Sequence, residues 1–214
     1  MNRITFHSVI PAVFANCENL HSEVWGRQLT FEKGKTYLLE ADSGQGKSTF
    51  CSYVIGYRHD YKGTISFDNE PVSKKHTNWW VDVRKQHIAY LFQELRLFPE
   101  LTAYENVEIK NRLTSCKTHA QITEWFERLG IADKMDTKVA LLSFGQQQRV
   151  AMLRALAQPF DFLLADEPVS HLDDENAALM GRLMMEEAQR QGAGVIVTSI
   201  GKHFNMHYDQ IIHL

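Results

Sequence analysis

Apolar and β-branched residues alternate or run together over 3–9, 27–32, 36–41, 64–67, 87–92, 161–166 and 194–199, and each stretch predicts a strand. Between and after them, apolar residues recur at helical spacing over 47–56, 103–111, 119–129, 145–157 and 174–191. Strands alternating with helices predict an α/β protein, with an antiparallel portion early in the chain. From about 95 to 142 the pattern is helical throughout and interrupts the alternation, as an inserted lobe would. No internal repeat or low-complexity tract breaks the chain further.

Composition narrows the class without changing this picture. At 214 residues, 44% hydrophobic and 23% charged, the chain reads as one ordinary globular domain. A net charge of −3 gives no overall basic bias towards nucleic acid, and none is expected as a partner. Cys17, Cys51 and Cys116 are widely spaced and odd in number, which predicts reduced, structural thiols. No uncharged apolar run approaches the ~18–20 residues of a membrane-spanning helix. The N-terminal "MNRITFHSVIPAVFANC" briefly imitates a signal peptide, but Thr5, His7 and Ser8 interrupt its apolar part, and Asn16 suits a cleavage site poorly. The expected location is therefore cytoplasmic.

Chemistry first enters at "TYLLEADSGQGKSTF" (36–50), a strand, a glycine-containing turn and the start of a helix. That context suits a phosphate-binding loop: backbone N–H groups over Ser43, Gly44, Gln45, Gly46, Lys47, Ser48 and Thr49 can wrap phosphates, with Ala41 and Asp42 leading in. Lys47 supplies a point charge to the β- and γ-phosphates, and Ser48 a hydroxyl for Mg²⁺. "FDFLLADEP" (160–168) is a second apolar strand, ending in two acids. Their side chains point opposite ways, so Asp166 suits the magnesium ion from behind its nearest ligands, and Glu167 can activate a water as general base.

"LLSFGQQQRV" (141–150) combines a capping box, Ser143 with Gln146, with a glycine and exposed donors at a helix start. Such a tip is an anion site. Lys47 and its loop already serve the phosphates within one subunit, so the tip's natural target is the nucleotide of a second molecule.

These stretches together resemble the ATP-binding-cassette (ABC) ATPases, in order and over almost the whole chain. "ADSGQGKST" resembles the family's Walker A, "IAYLFQEL" its Q-loop with Gln93, "LLSFGQQQRV" its signature, "FLLADEP" its Walker B and "SHLD" (170–173) its D-loop with Ser170 and Asp173. The resemblance implies a phosphate-loop NTPase fold: one nucleotide-binding domain over 1–214, with a core of 1–94 and 143–214 and a helical subdomain near 95–142. It implies two subunits packed head to tail around two ATP molecules, as a homodimer or pseudo-symmetric dimer, with Ser143, Phe144, Gly145 and Gln146 of one facing the ATP of the other. Gln93 would ligate Mg²⁺ and sense integral-membrane permease subunits, gripped by the helical lobe. Phe14 falls where the family stacks an aromatic ring on adenine, with Trp25 as the alternative. "LFQELRLFPELTAYENVEI" (91–109) is most similar to the small cassettes of lipoprotein-release, macrolide-export and cell-division systems, which lack a C-terminal regulatory domain, and this sequence stops at "QIIHL".

Two positions depart from that pattern. Phe144 replaces the first signature glycine. In "VIVTSIGKH" (195–203), Ser199 stands where similar proteins carry a histidine that positions the attacking water, which predicts slow hydrolysis with ATP binding intact. Three readings stay open: the ATP-hydrolysing subunit of a membrane transporter, a clamp that signals through ATP occupancy and turns over rarely, and a soluble ABC ATPase acting on DNA or ribosomes, which the missing coiled-coil insertion before the signature disfavours. The roles of His171 and His203 stay open too, and His203 and His207, four residues apart with no acidic helper nearby, read as solvent-facing polar side chains rather than a metal site.

Overall fold

The computed structural model describes residues 1–17, 21–42, 44–170 and 172–214. Ser43 and His171 lie outside the described residues. Two sheets organise the chain. The antiparallel one has the order β2-β1-β4-β5, with β1 Arg3–Pro11, β2 Gln28–Glu32, β4 Tyr61–Phe67 and β5 Glu70–Pro71. The parallel one has the order β6-β7-β8-β3-β9, with β3 Thr36–Glu40, β6 Ile88–Leu91, β7 Phe162–Asp166, β8 Gly194–Ser199 and β9 Gln210–His213. Every residue of β7 and β8 is buried, which is why those segments read as unbroken apolar runs rather than alternating ones.

The helices are α1 Lys47–Val54, α2 Thr77–Asp82, α3 Ala103–Asn111, α4 His119–Arg128, α5 Phe144–Leu156 and α6 Asp174–Gln191. Sharp starts for α3, α4 and α5 come from capping boxes led by Thr102, Thr118 and Ser143. One core surrounds Leu38, Ala89, Leu163 and Val197 of the parallel sheet and continues into Val107, Ile122 and Phe126 of α3 and α4. A second core lies between the antiparallel sheet, α1 and the other face of β3, β7 and β8. No described helix is long and apolar enough to cross a membrane.

The elements differ from the sequence expectation where local signals were weak. β1 runs on to Pro11 through a bulge at Ser8, whose φ of 49° breaks the alternation. Gly63 permits that bulge, because a Cβ there would lie 2.3 Å from the Ser8 carbonyl oxygen. Trp79 and Trp80 sit on α2, outside any helix expected from the sequence pattern, with Trp80 buried against Phe67. A π-helical turn, Val83–His87, follows α2 directly.

Candidate nucleotide site

The strands of the parallel sheet end on one edge, where ligands of open α/β sheets bind. The loop after β3, Gln93 after β6, Glu167 after β7 and the turn after β8 all reach that edge. Lys47 begins α1 with Gly46 as its N-cap, in the left-handed region at φ 101°. A Cβ on Gly46 would lie 2.9 Å from Phe14 Cε2 and 3.2 Å from the Trp25 ring, so a side chain there would be crowded as well as strained. Gly46→Ala is expected to cost roughly 1–3 kcal/mol of strain, read as weaker ATP binding by calorimetric titration.

Lys47 is buried, and its Nζ donates to the carbonyl oxygens of Ala41 (3.0 Å) and Asp42 (3.1 Å). The same ammonium lies 3.8 Å from Glu167 Oε1. Gln93 Nε2 donates to Glu167 Oε2 at 3.1 Å. Glu167 itself has φ 48°, a strained conformation for a residue with a side chain and a feature typical of residues held for chemistry. Lys47, Ser48, Thr49, Gln93 and Glu167 line one cavity of about 270 Å³, together with Gly44, Gly46 and Ile200. Asp166 sits behind it, almost wholly buried, with Oδ1 accepting from the Thr198 hydroxyl and Oδ2 from the Tyr90 hydroxyl at 3.1 Å. Burial, and then the neighbouring Cys51 and Asp166, push the Tyr90 phenol well up, so it stays a proton donor to the carboxylate. Asp42 and Gln45 close the loop's outer turn, the Gln45 side chain accepting from the Asp42 amide at 3.1 Å. Thr49 Oγ1 accepts from Arg58 at 3.2 Å.

Trp25, the alternative to Phe14 for the base, is packed into the core. It is buried among Phe6 and Tyr53, and its Nε1 donates to the Gln45 carbonyl at 3.2 Å, so it props the loop from beneath and has no free face for a base. Phe14, half-buried on a 3₁₀ turn over Ala12–Phe14, remains beside Gly46. Sequence reasoning had no signal for the Trp25 prop beyond its aromatic type.

Ser199 departs from its expected role. It ends β8 fully buried, with its hydroxyl accepting from Gly201 N at 2.9 Å and donating to the Lys202 carbonyl at 2.8 Å. Those bonds close a turn, and the residue that this turn presents to the cavity is Ile200. His203 bonds through Nδ1 to the Phe204 carbonyl (2.9 Å) and stacks edge-on with Tyr208. Neither histidine nor serine therefore stands at the cavity wall after β8.

The signature stretch is built differently. Ser143 Oγ accepts from Gln146 N (3.3 Å), and Gln146 Oε1 accepts from Ser143 N (2.9 Å). Gln147 ties back to the Val139 and Leu142 carbonyls, and Gln148 is buried. Ser143 and Phe144 are exposed, and none of Ser143, Phe144, Gly145 or Gln146 lines the Lys47 cavity. Ser170 Oγ donates to the Glu167 carbonyl (3.3 Å), and Asp173 caps α6 through Asn176 N (2.8 Å). Among the described residues no cluster of His, Cys, Asp or Glu forms a ready-made metal cage, and the cysteines are free thiols.

Comparison with known proteins settles the family. The sequence profile of the ABC transporter family matches residues 26–170, more than half of the chain. This chain belongs to the ABC transporter family. The cassette is 34% identical over 176 residues to YclH of Bacillus subtilis, an uncharacterized ABC transporter ATP-binding protein, covering 80% of this chain and 76% of that one. It is 30% identical over 182 residues to the lipoprotein-releasing system ATP-binding protein LolD of Alcanivorax borkumensis, covering 84% and 80%. Against the macrolide export ATP-binding/permease protein MacB of Shewanella sp. (strain ANA-3) it is 32% identical over 192 residues, but spans only 29% of that protein's length. The fold matches the dimeric structure of MJ0796, a bacterial ABC transporter cassette, at a TM-score of 0.84 and 25% identity, covering 99% of this chain and 94% of the other. A post-hydrolysis dimer of the same protein, bound to ADP and phosphate, matches at 0.75 and 26%, covering 92% and 87%.

Proposed function

We propose that this cassette is the ATP-binding and ATP-hydrolysing subunit of a membrane transport complex, working as a homodimer or pseudo-symmetric dimer that ATP closes and hydrolysis opens. One observation carries the reading: Lys47, Gln93 and Glu167 converge on one cavity, while the Ser143–Gly145 tip, with Ser143 and Phe144 exposed, takes no part in it. A second copy is the partner with a cavity that this tip would complete.

In this reading the loop from Ala41 to Thr49 holds the triphosphate, with Lys47 leaving its loop carbonyls for phosphate oxygens. Phe14 stacks on adenine. Ser48, Gln93 and Asp166 offer only oxygen donors towards a metal, a set that suits Mg²⁺, with Asp166 acting from behind because its oxygens are already engaged. Bound magnesium would neutralise phosphate charge. Glu167 takes the proton of the attacking water, and Gln93 aims the carboxylate. Ser143, Phe144, Gly145 and Gln146 seal the partner's site, with Ser170 and Asp173 shaping the adjoining loop. The helical stretch 95–142 grips integral-membrane permease subunits on the cytoplasmic face, consistent with relatives that are transporter ATP-binding proteins. A steady-state ATPase assay, with and without membranes holding the permease, tests this reading; no ATP hydrolysis in either arm rejects it.

The geometry after β8 favours a second reading, a clamp that hydrolyses slowly. Ile200 gives the attacking water no polar contact at that wall. Ser199→His is expected to disturb the buried turn without speeding turnover. Ile200→His, which sets an imidazole on the cavity wall, is expected to raise kcat by up to roughly 10²-fold. A fast wild type that neither substitution accelerates rejects the slow clamp.

A further inference from the structure

The turn that Ser199 closes does more than replace a missing histidine. Gly201, at φ 108°, lets the chain reverse there, and the reversal aims Lys202 back towards the segment before α6. Lys202 Nζ donates to the Leu172 carbonyl at 2.5 Å and lies 3.2 Å from Asp174 Oδ1. The Asp174 carboxylate is 98% exposed, so that ion pair is screened and adds little. The bond to the carbonyl is the anchor. Leu172 is buried, and its Cδ2 lies 3.4 Å from the position a Cβ on Gly145 would take, against the first turn of α5. A continuous set of contacts therefore runs from Ile200, on this chain's own cavity wall, through the Ser199 turn and Lys202 to Leu172 and the Ser143–Gly145 tip.

We infer that Lys202 is a positioning residue that couples the two shared ATP sites, because it ties the wall of one protomer's cavity to the helix tip that seals its partner's. This rests on the shared-site reading above. Filling a cavity displaces its wall, and a short, rigid set of contacts passes that displacement to the tip, whereas a loose one dissipates it. The serine turn is what brings the ammonium within reach of Leu172, so the departure from the family pattern at Ser199 becomes part of the device. Lys202 touches neither phosphate nor water in this scheme.

The test compares Lys202→Met, which keeps the aliphatic stem, with Lys202→Arg, which keeps a cationic donor. Each is made in the wild type and in Glu167→Gln. Three quantities are read: the Hill coefficient of ATPase activity against ATP, the ATP concentration for half-maximal dimerisation of the Glu167→Gln form by light scattering, and single-site ATP affinity of the monomer. Lys202→Met is expected to bring the Hill coefficient to 1 and raise the dimerisation midpoint about tenfold, because a helix tip no longer anchored must be ordered when the dimer closes. Monomer affinity stays unchanged, and Lys202→Arg recovers most of both losses. Ser199→Ala, which opens the turn by removing the hydroxyl's bond to the Lys202 carbonyl but leaves the Lys202 side chain intact, is expected to act in the same direction. A Lys202→Met protein with unchanged Hill coefficient and midpoint overturns the inference. So does an equal loss in monomer affinity, which marks general damage to the fold. Failure of Glu167→Gln itself to dimerise with ATP defeats the shared-site reading instead.

Discussion

Glu167→Gln is expected to bind ATP, accumulate as a dimer and lose roughly 10²–10⁴-fold in turnover, the usual contribution of a positioned general base. The substitution keeps the shape of the side chain and its place beside Gln93 but removes the basic oxygen. Binding should survive because the Lys47 loop is untouched, and it should improve slightly in one respect. Lys47 sits 3.8 Å from Glu167, so neutralising Glu167 removes one competitor with phosphate for the ammonium. Light scattering with Mg²⁺ and ATP reads the dimer, and single-turnover phosphate release reads the chemistry. A variant that still hydrolyses at the wild-type rate would remove Glu167 from the role assigned to it.

The second large effect concerns stability. Lys117, just before α4, and Glu187, on α6, form an ion pair at 2.6 Å with side chains 1% and 5% exposed. The ammonium also lies 5.0 Å over the Trp125 ring, and Asn111 fixes the Lys117 backbone through bonds of 2.9 and 2.8 Å. Arg190 and Gln191 supply the remaining donors to Glu187. Glu187→Ala strands a buried cation and should cost about 3–5 kcal/mol, lowering Tm by roughly 10 °C in a chain of this size. The double change Lys117→Met, Glu187→Leu removes both charges together and should be near neutral or stabilising. Burial works to raise the Glu187 carboxyl, but the Arg190, Lys117 and Gln191 bonds outweigh it and hold the pKa below its ordinary 4.5. Its stabilisation is therefore fully present above pH 4.5 and is lost as pH falls through the lower, folded value. A Glu187→Ala protein that melts with the wild type would show that the pair is ornamental.

Long periodic segments were legible before any coordinates, and for a physical reason. α3 and α6 fall where apolar spacing puts them, because that signal is local. The strand β9 escaped notice, since Gln210–His213 offers only four residues and owes its conformation to pairing with β3. Lys47, Gln93 and Glu167, singled out because the chemistry expected of them needs particular residue types in order, do line one cavity. Ser199 misled the reading for the converse reason: its place in sequence matched a catalytic position, while its side chain answers to Gly201 and Lys202 in its own turn. Trp25 beneath the loop and Lys202 against Leu172 are contacts across 20 and 30 residues, and no local pattern announces them.

Everything about the cycle turns on each triphosphate lying between two chains. A crystal structure of Glu167→Gln grown with ATP and Mg²⁺ tests this most directly. The expected result is two nucleotides per dimer, each held by Lys47 of one protomer and closed over by the partner's Ser143 and the partner's Gly145. A nucleotide enclosed by residues of a single chain, with that helix tip pointing into solvent, would contradict it.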